Sequence, residues 1–141
     1  MDTGVLVFLL LFVALFGITV VDFSRPPSED AAILMRYADH FAHGHGIVWN
    51  IGDKPVDGAT DFLFMVVLAL FVRLGLTLEF ACRMIGFVSH VLTIWIVYLT
   101  ARRLYDTRPL PALIATLYLA VGPGLYYVAA SFGTPFFVLL A

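Results

Sequence analysis

The chain has 141 residues, of which 62% are apolar and 13% are charged, and its mean hydropathy is +0.99. A soluble domain carries about 25% charged residues, so this composition excludes a soluble globular domain, a disordered tail and a coiled coil. The net charge of −2 excludes a nucleic-acid-binding surface, and a single cysteine, Cys82, excludes a disulfide framework. At about 20 residues per crossing, the length suits three or four membrane spans and one sizeable loop.

Apolar runs predict the transmembrane helices of an all-α membrane protein. The first predicted span, about 4–22, lacks the basic start and the small-residue cleavage site of a signal peptide. The second covers about 83–101, and the third, about 109–130, contains a Gly-Pro-Gly kink that neighbouring helices must compensate. Residues 135–141 begin a further span that stops after seven residues. The chain is therefore expected to be the amino-terminal part of a longer protein, with a short interfacial last segment as the alternative.

Between the first two spans lies a polar loop, about 23–82, which is expected to carry two amphipathic surface helices. An apolar stretch of eleven residues, 62–72, is too short for a crossing and suits the membrane interface. The arginine-rich loop 101–109 then lies on the opposite side of the membrane from the acidic loop, and arginine-rich loops favour the cytoplasm. These features predict a multi-pass protein of the cell membrane with loop 23–82 extracytoplasmic and loop 101–109 cytoplasmic.

Two helices are predicted within the acidic loop. Ser28 is a good N-cap, Glu29 and Asp30 suit the first turn of a helix, and Gly44 suits its end. A helix of about fifteen residues is therefore expected, and we expect it to lie beside the first span. A second surface helix is expected from Asp61 to about residue 76.

Several segments of the loop, and two later ones, carry a resemblance to a known family. They are Glu29-Asp30-Ala31-Ala32-Ile33, Arg36-Tyr37-Ala38, Gly44-His45-Gly46-Ile47-Val48-Trp49-Asn50, Val56-Asp57-Gly58-Ala59-Thr60-Asp61-Phe62-Leu63, Ala101-Arg102-Arg103-Leu104-Tyr105 and Ala129-Ala130-Ser131-Phe132-Gly133-Thr134-Pro135. They resemble the GT-C glycosyltransferases that use polyprenyl-phosphate sugars, in the arabinofuranosyltransferase-like and protein mannosyltransferase-like branches. This sequence departs from the pattern at Ala59 and Asp61, which replace a tyrosine and an asparagine, and at Gly133, where many members have a glutamate.

The resemblance implies a base and a set of substrate-binding residues. Transfer to a hydroxyl needs a carboxylate that accepts its proton, and the resemblance favours Glu29 for this role, with Asp30 close behind. The departing phosphate needs positive charge, which Arg36 or Lys54 would supply. His45 and Asp57 are further candidates for substrate or phosphate binding. From the residues alone, the acidic pair can equally stabilise the start of a helix, and Arg36 can equally extend towards lipid headgroups.

The four histidines of the chain invite other interpretations. His40, His43 and His45 form an H-x-x-H-x-H pattern, which invites a metal site, but no obvious fixed third ligand accompanies it. We therefore predict surface histidines, no metal site and no cofactor, although a divalent metal stays open. His90 lies within the second span, where an ionisable group is a functional candidate. A neutral histidine that is hydrogen-bonded between helices is the favoured interpretation.

The expected function is transfer of a sugar from a polyprenyl-phosphate donor to a hydroxyl of a cell-envelope glycan, a lipid or a protein at the outer membrane face. The expected partners are this donor, the acceptor and membrane lipids, without nucleic acid. The 141 residues alone are expected to be inactive. The alternative is a non-catalytic membrane module, either a transporter fragment or an assembly subunit. Transporters place their ionisable groups within the spans, whereas here the polar residues concentrate in the loop, which favours the enzyme.

Overall fold

The computed structural model describes residues 3–22, 24–56, 58–105 and 109–141. Within these ranges the chain is helical, without a β-strand, and the all-α fold class is confirmed. The helices are α1 (Thr3–Val20), α2 (Glu29–Ala42), α3 (Phe62–Arg73), α4 (Leu78–Leu104), α5 (Leu110–Val121), α6 (Gly124–Ala129) and α7 (Thr134–Leu140).

Two helical stretches of the described ranges are long and apolar enough to cross a membrane. They are α4, with 27 residues, and Leu110–Ala129, with 20 residues, which comprises α5 and α6. α3 has 12 residues, and at about 1.5 Å per residue it is about 18 Å long, well short of a hydrocarbon core of about 30 Å. α4 starts at Leu78, earlier than the second predicted span, because the Thr77 side chain caps it by accepting a hydrogen bond from the Phe80 amide.

The two helices of the acidic loop pack against each other. The apolar face of α2 includes Leu34 and Tyr37, and it lies on Phe64 and Leu68 of α3 in one hydrophobic cluster. α1 packs instead on α4, α5 and α6. The prediction that α2 lies beside the first span is therefore wrong. The apolar stripe of α2 packs on α3 because nearly every residue of α3 is apolar. Phe64, Met65 and Leu68 of α3 are fully buried.

α4 is the central helix, and α1, α3, α5, α6 and α7 all pack on it. α6 runs antiparallel to it. The Cys82 thiol, near the start of α4, donates a hydrogen bond to the Ser131 carbonyl beyond the end of α6, at 2.9 Å. His90, two turns further along α4, lies against Gly124 at the start of α6. The chain corner between α6 and α7 therefore lies beside the amino-terminal end of α4, the end that follows α3.

The kink between α5 and α6 lies beside His90 of α4. Pro123 has no N–H, so the Leu119 carbonyl loses its helical partner four residues ahead and accepts instead from the Gly122 amide, at 3.4 Å. The His90 ring packs against Gly124, directly after the proline. Its Nε2 is buried without a hydrogen-bond partner among the described residues, so the bond between helices expected for His90 stays a prediction.

Gly124 gives the His90 ring its space. A Cβ atom at Gly124 would lie 2.3 Å from Cε1 of His90, and the buried ring has little room to retreat. We expect Gly124→Ala to destabilise the protein by about 1–3 kcal/mol, the usual effect of overpacking. Gly4→Ala is the matched control, because a Cβ there meets nothing within 4 Å. The measurement is thermal unfolding in detergent, and equal melting temperatures for the two variants would contradict the prediction.

Candidate functional site

The start of α2 is tied to the chain corner between α6 and α7. The Ser28 side chain caps α2 by accepting a hydrogen bond from the Ala31 amide at 3.4 Å. The Ser28 amide donates to the Ala130 carbonyl at 3.1 Å. Since Ser28 directly precedes Glu29 and Asp30, this backbone bond places the acidic pair beside the corner.

The corner has a strained backbone that its neighbours hold. Ser131 is buried and has a φ of 65°, a left-handed conformation that residues other than glycine seldom adopt. The Cys82 thiol bonds its carbonyl, and the Phe132 amide donates to the Tyr127 carbonyl at 2.9 Å. Strain of this kind persists only where surrounding contacts fix it, and it concentrates at functional sites.

A groove of about 440 Å³ opens between the start of α2, the segment before α3 and the corner. We call it the Asp30 groove. Its lining residues are Asp30, Ala31, Ile33, Leu34, Gly58, Thr60, Asp61, Phe132 and Gly133. Among the described residues, two carboxylates and no lysine or arginine line it, so it is rich in hydrogen-bond acceptors.

Asp61 is the second carboxylate of the Asp30 groove, and it contacts the corner. It stands at the N-cap of α3, yet its side chain makes no capping bond. A Cβ atom at Gly133 would lie 2.8 Å from Oδ2 of Asp61 and 2.8 Å from the Phe64 ring. The half-buried Asp61 carboxylate is therefore too close to position 133 for a Cβ atom there to fit without a shift. Two positions at which the sequence departs from the resembled pattern thus contact each other.

Glu29 faces a different groove from its neighbour Asp30, because consecutive residues on a helix point about 100° apart. This second groove, the Glu29 groove, is wider and has a volume of about 660 Å³. Its lining residues are Pro27, Glu29, Ala32, Ile33, Met35, Arg36, Asp39, Trp49, Leu78 and Glu79. The structure thus brings Glu29 together with Arg36 and brings Asp30 together with Asp61.

Arg36 holds the loop 47–56 against α2. Its Nε donates to the Trp49 carbonyl at 2.8 Å, and its Nη2 donates to Oδ1 of Asn50 at 3.1 Å. The guanidinium also lies over the Trp49 ring, 4.4 Å from the centroid. Asn50 in turn donates to Oδ2 of Asp53 at 2.9 Å. The side chain predicted to bind phosphate therefore has at least two of its donors directed to this loop.

We expect Arg36→Lys to loosen the loop 47–56, because an ammonium cannot reproduce the planar fork and the ring contact of a guanidinium. Hydrogen–deuterium exchange of a peptide that covers residues 47–56 should become at least severalfold faster. Arg25→Lys is the control, since Arg25 makes an exposed ion pair with Asp22 at 3.2 Å, and exposed pairs contribute little. Unchanged exchange in Arg36→Lys would show that the loop does not depend on this arginine.

The remaining predicted site residues lie apart from both grooves or outside the described residues. His45 and Lys54 are exposed, and neither lines the Asp30 groove or the Glu29 groove. Asp57 lies outside the described residues. His40 and His43 hydrogen-bond to the carbonyls of Val48 and Asp39. Within the described ranges, no three histidine, cysteine, aspartate or glutamate side chains come together as a metal site would require.

Asp61 is the site residue that the sequence interpretation missed. In sequence it is read as the start of a helix, because an aspartate before an apolar run is a common N-cap. Its partners in the groove, Asp30 and Gly133, are distant along the chain, and no local pattern connects them. The available signal was the coincidence of two departures from the resembled pattern, at Asp61 and at Gly133.

Comparison with known proteins gives a match to a family model. The model of a family described as dolichyl-phosphate-mannose-protein mannosyltransferase matches residues 53–141. The matched region contains Asp61 and Gly133 and begins after the acidic pair of α2. No curated protein and no solved structure matches the chain.

Proposed function

Because the chain belongs to the dolichyl-phosphate-mannose-protein mannosyltransferase family, we propose that it transfers a sugar from a polyprenyl-phosphate donor to an acceptor hydroxyl at the outer membrane face. Membership of this family and the two long apolar helices make it a membrane protein of glycosyltransferase type. The observation that carries the proposal is the Asp30 groove, a half-enclosed acidic site between the start of α2, the segment before α3 and the corner between α6 and α7.

The proposed reaction is a single displacement. The acceptor oxygen attacks the anomeric carbon, and the bond from that carbon to the phosphate oxygen breaks with its electron pair on the phosphate. The acceptor proton passes to the Asp30 carboxylate, and the configuration at the anomeric carbon inverts. A positioned carboxylate base of this kind contributes about 10²–10⁴-fold to the rate.

Asp30 is a better base than Glu29 by its surroundings. Its groove is the smaller of the two, and three chain segments form its walls. A more enclosed site excludes more water and holds the acceptor more closely in line with the base. Glu29 shares its wider groove with two other carboxylates and with Arg36, whose donors hold the loop 47–56.

The departing phosphate requires positive charge, which the described lining of the Asp30 groove does not supply. We propose that Arg36 of α2 and Lys54 of the loop 47–56 contribute this charge, with His45 and Asp57 as further substrate-binding residues. Arg36 keeps one terminal nitrogen beyond the two that bond the loop. Lys54 is exposed and lies on the same loop.

Sealed membrane vesicles of defined orientation test the proposal. Vesicles that expose the outer face should form product when a membrane-impermeant acceptor is added outside and the polyprenyl-phosphate sugar is in the bilayer. Vesicles of the opposite orientation should form product only after permeabilisation. Product formation in the opposite orientation without permeabilisation would place the site on the cytoplasmic face and overturn the proposed sidedness.

A further inference from the structure

We propose that the Asp30 groove accepts a sugar residue of a glycan, and that Asp61 positions this acceptor by binding a hydroxyl next to the one that reacts. The inference rests on the proposed function, because it assigns the acceptor class of the same groove. It adds a specificity-determining residue that is distinct from the base.

The hydrogen-bonding character of the groove suits an uncharged polyol. Asp30 and Asp61 offer only acceptors when ionised, and Thr60 adds a hydroxyl. Among the described residues no lysine or arginine lines the groove, so a phosphorylated or carboxylated acceptor would meet repulsion. Neighbouring hydroxyls of a sugar can donate to both carboxylates at once, whereas a serine or threonine side chain offers one hydroxyl.

The Asp61 carboxylate has no structural partner in the described part of the chain. It occupies an N-cap position without capping α3, and no hydrogen bond or ion pair holds it. Asp39 and Asp53, by contrast, are engaged: Asp39 lies 3.4 Å from His43, and Asp53 accepts from Asn50. A half-buried carboxylate without a protein partner has lost part of its hydration, so a ligand that donates hydrogen bonds to it is favoured.

The walls of the groove match the apolar face of a sugar ring. Phe132 contributes an aromatic side chain, and Gly58 and Gly133 line the groove without side chains of their own. The volume of about 440 Å³ lies within the range of small-molecule sites, about 300–1,000 Å³. It far exceeds what the hydroxymethyl group of a serine would fill.

Gly133 controls where the Asp61 carboxylate lies. Its φ of −71° is accessible to every residue, so the Gly133→Ala backbone is not strained. The added methyl group would start 2.8 Å from Oδ2 of Asp61 and 2.8 Å from the Phe64 ring. Because Phe64 is fully buried, the half-buried carboxylate has more room to move than the ring. Gly133→Ala therefore displaces the carboxylate without removing its charge, and it complements Asp61→Asn, which keeps the shape and removes the charge.

The test compares acceptors with the intact protein in detergent. The probes are octyl glycosides of pentoses and hexoses, their monodeoxy analogues that lack the hydroxyl beside the reacting one, and a serine- and threonine-containing peptide. For the best glycoside, we expect Asp61→Asn to raise KM about 10- to 100-fold, the effect of losing a hydrogen bond to a charged group, with kcat changed less than about threefold. The preference for the glycoside over its deoxy analogue should disappear in the same variant. Gly133→Ala should reduce that preference as well.

Asp39→Asn is the matched control, because it makes the same chemical change on α2 at a residue that does not line the Asp30 groove. Thermal unfolding of all variants separates loss of fold from loss of binding. If Asp61→Asn behaves like Asp39→Asn, or if the peptide is the preferred acceptor, the inference is overturned. If the unsubstituted protein transfers sugar from the lipid-linked donor to none of the probes, the proposed function has failed. If it transfers sugar while Asp61→Asn is unchanged, the assignment of Asp61 alone has failed.

Discussion

Replacing Asp30 with asparagine is expected to lower the rate of glycosyl transfer by about 100-fold or more, because the amide cannot accept the acceptor proton. The side chain keeps its size, so binding of the acceptor in the groove should change much less than the rate. The measurement is kcat and KM for transfer from a polyprenyl-phosphate sugar by the intact protein.

Glu29→Gln separates the two members of the acidic pair. Glu29 lines the wider groove beside Arg36, and its neutral variant should retain kcat within about tenfold of the original protein. Both substitutions remove one carboxylate from the first turn of α2, where each contributes about 0.3–1 kcal/mol through the helix dipole. A small, equal effect on stability therefore accompanies both variants. The opposite order of rates would assign the base to Glu29, the residue that the resemblance favours.

Phe64→Ala is expected to destabilise the protein by about 3–5 kcal/mol, the usual cost of truncating a buried phenylalanine. Phe64 is fully buried on α3, within the cluster that joins α3 to α2 and α4. Its ring also packs on Phe136 of α7, with centroids 5.5 Å apart. Its loss would thus loosen three walls of the Asp30 groove together, and activity should fall along with stability.

Phe62→Ala provides the control for this prediction. Phe62 lies on the same helix and is 54% exposed, so its truncation leaves no internal cavity and should cost less than about 1 kcal/mol. The measurement is the shift in thermal unfolding for both variants in the same detergent. Equal shifts would mean that the α2–α3 cluster does not support the fold.

The helices could be predicted from the sequence because their signals are local. Ser28 and the two acids after it define the start of α2, and a continuous apolar run defines α3. The kink between α5 and α6 was also predictable, since a proline within an apolar run leaves a backbone carbonyl that another group must satisfy. That the Gly122 amide takes this role, at 3.4 Å, and that His90 packs beside the kink follow from the folded chain and not from a local pattern.

The neighbours of α2 and the composition of the groove could not be predicted in this way. An apolar stripe on a helix indicates that a partner exists, but it does not say whether α1 or α3 supplies it. The groove joins Asp30 to Asp61 and Gly133 through tertiary packing, which no spacing rule encodes. The separation of Glu29 from Asp30 into two grooves likewise depends on which elements flank α2.

The most direct test of the central claim is donor use by the purified intact protein. Incubation with an acceptor glycoside and a polyprenyl-phosphate sugar should give a product whose anomeric configuration is inverted relative to the donor. The corresponding nucleotide sugar should give none under the same conditions. Transfer from the nucleotide sugar, or no transfer from the lipid-linked sugar by an otherwise folded protein, would contradict the account.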